Sequence, residues 1–372
     1  MTTKDILSPY TKGNLQLNNR VIMSSLTRGR TTNQGLVPTD LHATYYAQRA
    51  SAGLILTESA WVSKDAIGFI NIPGIYTDEQ VTGWKKVTEA VHSKGGKIFL
   101  QLSHSGSVSH ADFFNGNKPK GPSAINPKEK TFTPQGFKDT ETPEELTLQD
   151  IRNTIEDYRK ASRNALKSGF DGIEIHAQIF TLIPQFLSSL TNQRTDEYGG
   201  TIENRSRILF EILDAAISVF GTDRVGIKFT PAFFSTGIIR PQEDTLSDYQ
   251  YILGKLSNYD LAYVHIVAPG IDLSDTPLSS IKDDYFAFFR KHYSGTLMAN
   301  GGFTLEKANT ILVENNADLV SFGTYYIANP DLTDRFQNNW PLATADTDTY
   351  YQGGEQGYTD YHHYDSKKQS LP

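Results

Sequence analysis

Eight short runs rich in β-branched and aliphatic residues recur along the chain: RVIMSSL at 20–26, GLILTESAW at 53–61, KIFLQLS at 97–103, GIEIH at 172–176, RVGIKFT at 224–230, AYVHIVA at 262–268, TLMANG at 296–301 and LVSFGT at 319–324. Their apolar residues are near-continuous, as expected of strands covered on both faces. Between them lie stretches with apolar residues three and four apart. After Thr147, a residue suited to capping, Leu148, Ile151, Ile155 and Tyr158 share one helical face, and Gly169 closes the element. Similar periodicity covers roughly 77–94, 201–220, 245–258, 279–293 and 304–314. Alternating strands and helices imply a parallel sheet, and eight such units predict an α/β fold closed as a (β/α)8 barrel, one domain over 1–372. A doubly wound open sheet is the alternative, but no G-x-G-x-x-G run follows a strand.

Two stretches fall outside this rhythm. Residues 104–146, rich in Pro, Gly, Ser and Lys, form an insertion after the third strand and are expected to lie as a lid over the C-terminal mouth. The Tyr- and Gly-rich tail, 347–372, is expected to pack outside the barrel or across that mouth. Composition narrows the partners. A net charge of -7 without a Lys/Arg cluster argues against nucleic acid. Zero cysteines exclude disulfides and thiolate chemistry. The N-terminus lacks an apolar signal core, and no run approaches a membrane span, so the expectation is a soluble cytoplasmic protein, monomer or homodimer, acting on a small molecule.

Chemistry concentrates at the strand ends. NGGFTLEKA at 300–308 and FGTYYIANPDL at 322–332 each place glycine before a helix start, so the backbone amides near Gly301, Gly302, Gly323 and Thr324 form a candidate phosphate site. The plainer reading is that these glycines only relieve strain in turns. Thr27, Glu58, Gln101, His176, Lys228 and Asn300 stand at successive strand ends, where barrels place ligand contacts. His104 and His110 have no carboxylate at metal-binding spacing, so no metal is expected. His362 and His363 read as solvated, and Glu203, Arg205 and Arg207 as a structural ion-pair network.

The runs NRVIMSSLTRGR, YYAQRASAGLILTESAWVS, QLSHSGSVSH, SLTNQRTDEYGGTIENRSRILFEI, YIANPDL and EQGYTDY together resemble the Old Yellow Enzyme family over nearly the whole chain. That resemblance implies an FMN-containing barrel. The flavin takes a hydride from NAD(P)H and delivers it to the β-carbon of an activated C=C bond, while a proton reaches the α-carbon. It also implies that Thr27 contacts the flavin C4 oxygen, Ser59 sits beside the ring with Ser25 and Leu26 near it, and Gln101 meets the pyrimidine edge. Lys228 stands where the family has an arginine near N1, and Asn300 joins the phosphate turns. His176 anchors the substrate.

Several positions depart from the family pattern. Thr324 replaces an arginine after FG, which forfeits roughly 1.5–3 kcal/mol of charge-assisted bonding and predicts FMN retained about one to two orders of magnitude more weakly. In the fourth-strand motif, Ile179 replaces the second hydrogen-bond donor, Phe180 a glycine, and Thr181 the proton-donating tyrosine. Ser103 stands where many members carry tryptophan, and Ser25 where proline is common. With Gln178 and Tyr351, these residues outline a reshaped pocket for a bulky apolar substrate with an activated alkene. The leading expectation is ene reduction, with Thr181 a poor acid and water or another residue supplying the α-proton. The alternatives are a non-redox isomerase or cyclase of a bulky apolar metabolite, possible even without flavin, and a binding protein that has lost catalysis.

Overall fold

The structure, a computed structural model, describes residues 5–178 and 180–365. Ile179 and the last part of the tail, 366–372, lie outside the described residues. Eight parallel strands close into a barrel in chain order: β1 (Val21–Met23), β2 (Leu54–Trp61), β3 (Ile98–Ser103), β4 (Gly172–Ala177), β5 (Val225–Phe229), β6 (Tyr263–Val267), β7 (Leu297–Asn300) and β8 (Leu319–Phe322), with β8 pairing back onto β1. All eight coincide with the apolar runs. The helices are α1 (Asp40–Ala47), α2 (Asp78–His92), α3 (Leu148–Lys167), α4 (Leu182–Leu187), α5 (Ile202–Arg205), α6 (Arg207–Phe220), α7 (Thr245–Leu256), α8 (Tyr285–His292), α9 (Leu305–Val313), α10 (Thr324–Ala328) and α11 (Leu332–Asn338).

The longest helix shows how local chemistry sets the elements. The Thr147 hydroxyl accepts from the Asp150 amide while the Asp150 carboxylate accepts from the Thr147 amide, a reciprocal cap on α3. Ile151, Thr154, Tyr158, Ala161, Ser162 and Ala165 then form its buried face, and Gly169, at φ +85°, lets the chain turn away. The 201–220 stretch divides at Ser206 into α5 and α6, and 279–293 begins as a 3-10 turn, Ser279–Ile281, before α8.

Side chains alternate across each strand, so the barrel interior is layered. At the base, Ile22, Leu54, Leu56, Phe99, Tyr263, Met298 and Leu319 form one cluster, sealed from below by Leu15 and Leu17 of an N-terminal hairpin. Gly172 and Gly226 make room for its rings: an added Cβ would meet Phe99 or Tyr263 at 2.4 Å. Above lies a buried polar layer of Gln101, Glu174, Lys228, His265 and Ser321. The mouth lies beyond it.

Strand β2 breaks the simple alternation. A bulge shifts its register against β3 between Leu56 and Ser59, so Ser59 faces the interior and Glu58 turns outward. Glu58 is therefore not a mouth residue, contrary to its position in the sequence. It is buried behind the sheet, where the Arg28 amide donates to its Oε2.

The insertion 104–146 carries structure of its own. Lys120–Gly121 pairs with Glu144–Glu145, and Lys130–Thr133 forms a hairpin with Gly136–Asp139 in which Phe132 and Phe137 stack at 4.5 Å. Among the described residues no helix is long and apolar enough to cross a membrane.

Candidate active site

Two connected cavities open at the C-terminal ends of the strands, sharing Ser25, Leu26 and Thr324. The first, about 430 Å³, is lined by Lys228, Asn300, Gly301, Gly302, Gly323 and Gln178. The second, about 590 Å³, is lined by Thr27, Ser59, Ser103, His176, Phe180, Thr181 and Tyr351, together with Trp61, Phe69, Ile72 and Val108. Lys130, Thr131 and Phe137 of the insertion and Tyr350 of the tail also reach it. Of the sequence candidates, Gln101 stays beneath the cavity floor, and Gln178 lies in the first cavity.

At the far end of the first cavity, Gly301 and Gly302 both take positive φ, +102° and +67°, and a Cβ on Gly302 would meet open space. Helix α10 begins at Thr324 with no side chain capping it, which leaves its first amides for a ligand. Arg49 fixes this turn from behind, donating to the carbonyls of Tyr326 (2.9 Å) and Ile327 (2.9 Å). Among the described residues no arginine lines this cavity. Its one cation among the described lining residues is Lys228.

Lys228 rises from the polar layer to the floor, where its ammonium donates to Ser24 (3.1 Å) and Ser25 (3.0 Å). Burial pushes its pKa down to about 8, opposed by the Glu174 carboxylate. Glu174 is itself held below the usual carboxylate range: burial acts to raise it, but His265, Lys228 and Gln101 together outweigh that. Gln101 Nε2 donates to Glu174 (2.7 Å) and Ser25 (2.8 Å), so its Oε1 is left to accept from Ser59 (2.8 Å). Deeper in the layer, His265 bridges Glu174 and Ser321 at 2.8 Å each. Asn300 joins the same network by donating to Ser321.

His176 stands where the two cavities meet. Its Nδ1 faces Ser59 and Ser103, each at 3.0 Å, and its Nε2 faces Gln178 Oε1 at 2.8 Å. Burial, then the Lys228 charge, push its pKa down to about 4, so near neutral pH it is an uncharged hydrogen-bonding group. Thr181 stands just before the short helix α4 without capping it, and its hydroxyl donates instead to the carbonyls of His176 (2.9 Å) and Gln178 (2.6 Å). The hydroxyl that stands in the place of the proton-donating tyrosine is thus engaged by the loop itself.

Sequence reasoning missed the arginine clamp on the tail. Arg28 donates to the carbonyls of Tyr350 (3.1 Å) and Gly357 (2.7 Å), and Arg30 to those of Thr349 (2.8 Å) and Gln356 (3.0 Å). Tyr358 stacks on Tyr45 at 3.9 Å, with Arg49 on the ring of Tyr45 at 3.7 Å. Gly29, at φ +63°, lies so close to the Tyr351 carbonyl that a Cβ would meet it at 2.4 Å. RGR at 28–30 was the available signal, three long or flexible residues at a strand end.

Two structural readings need correction. His110 does have carboxylates beside it, Asp112 at 3.2 Å and Glu141 at 3.9 Å, because the insertion folds back on itself. No group of three metal-binding side chains forms among the described residues. Arg205 directs its ion pairs to Asp244 and Asp248, while Arg207 bonds the Glu197 carbonyl and Asn204. The network therefore braces α7 instead of closing on Glu203.

Uncapped amides at one end of a barrel mouth, with a buried cation on the floor, suit a ligand carrying phosphate at one end and an electron-accepting ring at the other. A barrel oxidoreductase with a nucleotide-like redox cofactor is the class these features define. The sequence pattern of the NADH:flavin oxidoreductase / NADH oxidase family matches residues 5–343. The chain is 38% identical over 360 residues, 96% of its length and 93% of the other, to putative 12-oxophytodienoate reductase 2 of Oryza sativa subsp. japonica. It superposes on morphinone reductase in complex with tetrahydroNAD with a TM-score of 0.90, at 40% identity over 99% of both chains. With the Old Yellow Enzyme homologue of Zymomonas mobilis the TM-score is 0.89, at 36% identity over 96% of this chain and 99% of that one. The chain belongs to this family: it is a flavin oxidoreductase of the Old Yellow Enzyme type, with FMN as cofactor and a nicotinamide as hydride donor.

Proposed function

We propose that the protein reduces a C=C bond conjugated to a carbonyl or nitro group on a bulky, largely apolar substrate. Gly301, Gly302, Gly323 and Thr324 would hold the FMN phosphate and Lys228 the ring, with Gln101 acting from beneath by positioning Ser25 and Ser59, and Thr27, Ser25, Leu26, Ser59 and Asn300 would line its bed. FMN held there would supply two-electron hydride chemistry between NAD(P)H and the activated alkene. His176 carries the reading: a neutral imidazole, gripped from behind by two serines, faces an apolar chamber directly continuous with the phosphate cradle. There it would donate to the substrate oxygen and polarise the alkene.

Ser103, Phe180 and Tyr351 would shape the chamber around the substrate, with Trp61, Phe69 and Phe137 as apolar walls. Its size suits a drug-sized ligand. With the Thr181 hydroxyl engaged by backbone, the α-carbon would take its proton from water or from a phenol among Tyr350 and Tyr351. The reading includes a cytoplasmic enzyme, monomeric or homodimeric, which fractionation and light scattering test.

The deciding experiment loads the purified protein with FMN and follows the flavin absorbance anaerobically. Expected are bleaching by NADH or NADPH, return of colour on adding cyclohex-2-enone, and a ketone product two mass units heavier. Product formed equally without any nicotinamide would overturn the reading.

A further inference from the structure

The fourth-strand loop has lost the donor expected at Ile179, whose side chain carries no polar hydrogen. Within the same loop, however, a different side chain reaches the imidazole. Gln178 Oε1 lies 2.8 Å from His176 Nε2, the one imidazole nitrogen not turned toward the serines. We propose that Gln178 replaces the missing donor, so that the substrate oxygen is held by Nε2–H of His176 and by the Gln178 amide. This rests on the ene-reduction reading.

The protonation pattern follows from the polar layer. Glu174, held ionised, can only accept, so Gln101 presents Nε2 to it and Oε1 to Ser59. The Ser59 proton is therefore committed to Gln101. Gln178 Oε1 can only accept, so the Nε2 facing it carries the imidazole proton, and Nδ1 is left to accept from Ser103. That proton is donated to Gln178 Oε1. The contact uses the carbonyl of the amide and leaves its –NH2 out of the pairing.

In the free site, His176 and Gln178 thus satisfy one another. An entering carbonyl or nitro oxygen accepts the hydrogen bond from Nε2–H, and a half-turn of the Gln178 amide brings its N–H to the same oxygen. Two donors then converge from residues two apart in sequence. Gln178 also lines the cavity that holds Lys228 and Asn300, so its amide lies at the junction of the cofactor and substrate spaces.

The test uses full-length FMN-loaded protein and Gln178→Leu, which keeps the bulk and removes both polar atoms. Re-oxidation of the reduced flavin by saturating cyclohex-2-enone should slow by about 10²–10³-fold. The dissociation constant of cyclohexanone, measured by calorimetry, should rise at least tenfold. Adding Ile179→Asn to Gln178→Leu should recover ten-fold or more of the lost rate, which a merely damaged loop would not do. A Gln178→Leu rate within threefold of the parent, unchanged cyclohexanone binding, or a ¹⁵N spectrum placing the His176 proton on Nδ1 would overturn the proposal. If the parent fails to pass hydride to the enone, the ene-reduction reading fails instead, and cyclohexanone binding still decides the role of Gln178.

Discussion

Ser103 Oγ lies 3.0 Å from His176 Nδ1: the small residue that opens one wall of the chamber also holds the imidazole. Ser103→Ala should therefore cost about 1 kcal/mol in transition-state stabilisation, a factor of about five in enone turnover. Flavin reduction by the nicotinamide should change less than enone turnover. Equal losses in both half-reactions, measured by stopped flow, would refute a role confined to substrate orientation.

Thr324 stands at the first position of the uncapped helix α10. Thr324→Arg should tighten FMN by about 10–100-fold through a charge-assisted pair with the phosphate. Riboflavin, which lacks that phosphate, should bind the variant and parent alike. Fluorescence-quenching titrations of both flavins check this, and a parallel gain for riboflavin would place the phosphate elsewhere.

Lys228 is the cation on the cavity floor, so Lys228→Met should make the reduced, anionic flavin less favourable. The midpoint potential should fall by roughly 30–60 mV, equal to about 1.4–2.8 kcal/mol for two electrons. Since burial pushes the Lys228 pKa down to about 8, the ammonium is present below that pH and is lost above it. In the parent, the extra stabilisation should fade as pH rises through about 8, whereas the variant should show no such step in spectroelectrochemical titration.

Glu58 is buried behind β2, its Oε1 without a hydrogen-bond partner among the described residues. Burial pushes its pKa up to about 7, with the backbone of Arg28 and the charges of Arg28 and Arg30 opposing. A raised carboxyl pKa favours the protonated form in the folded state, so the fold loses stability as pH climbs from the unfolded value toward 7. Glu58→Gln should stabilise the protein at pH 8 by about 3 kcal/mol at most and change little near pH 4. Urea unfolding at the two pH values provides the measurement, and equal shifts at both would contradict it.

The barrel was legible because strands such as VGIKF and YVHIV, buried on both faces, are short and apolar but for one residue each, with helical periodicity between them. The glycine turn at 301–302 was equally readable, since few residues tolerate its positive φ. The bulge in β2 was not: one extra residue reverses which of Glu58 and Ser59 faces inward, and nothing in TESAW marks it. Helix α1 escaped notice because DLHATYYA lacks a clean apolar stripe. The sequence places Gln178 among the substrate contacts, yet its bond to His176 depends on a loop conformation that no periodicity encodes. For long-range polar contacts such as Arg28 to Gly357 the sequence offers at most the RGR run at 28–30, because a backbone carbonyl acceptor leaves no mark on which residue supplies it.

The arginine clamp on the tail has a consequence for how the protein is made. Tyr350 and Tyr351 reach the chamber in a segment whose carbonyls Arg28 and Arg30 grasp from more than 300 positions earlier in the chain. On the ribosome, the barrel's first strand emerges long before the segment that completes its working surface. A nascent chain can therefore close its sheet while the chamber still lacks one side, and competence arrives late in synthesis, when the far segment docks.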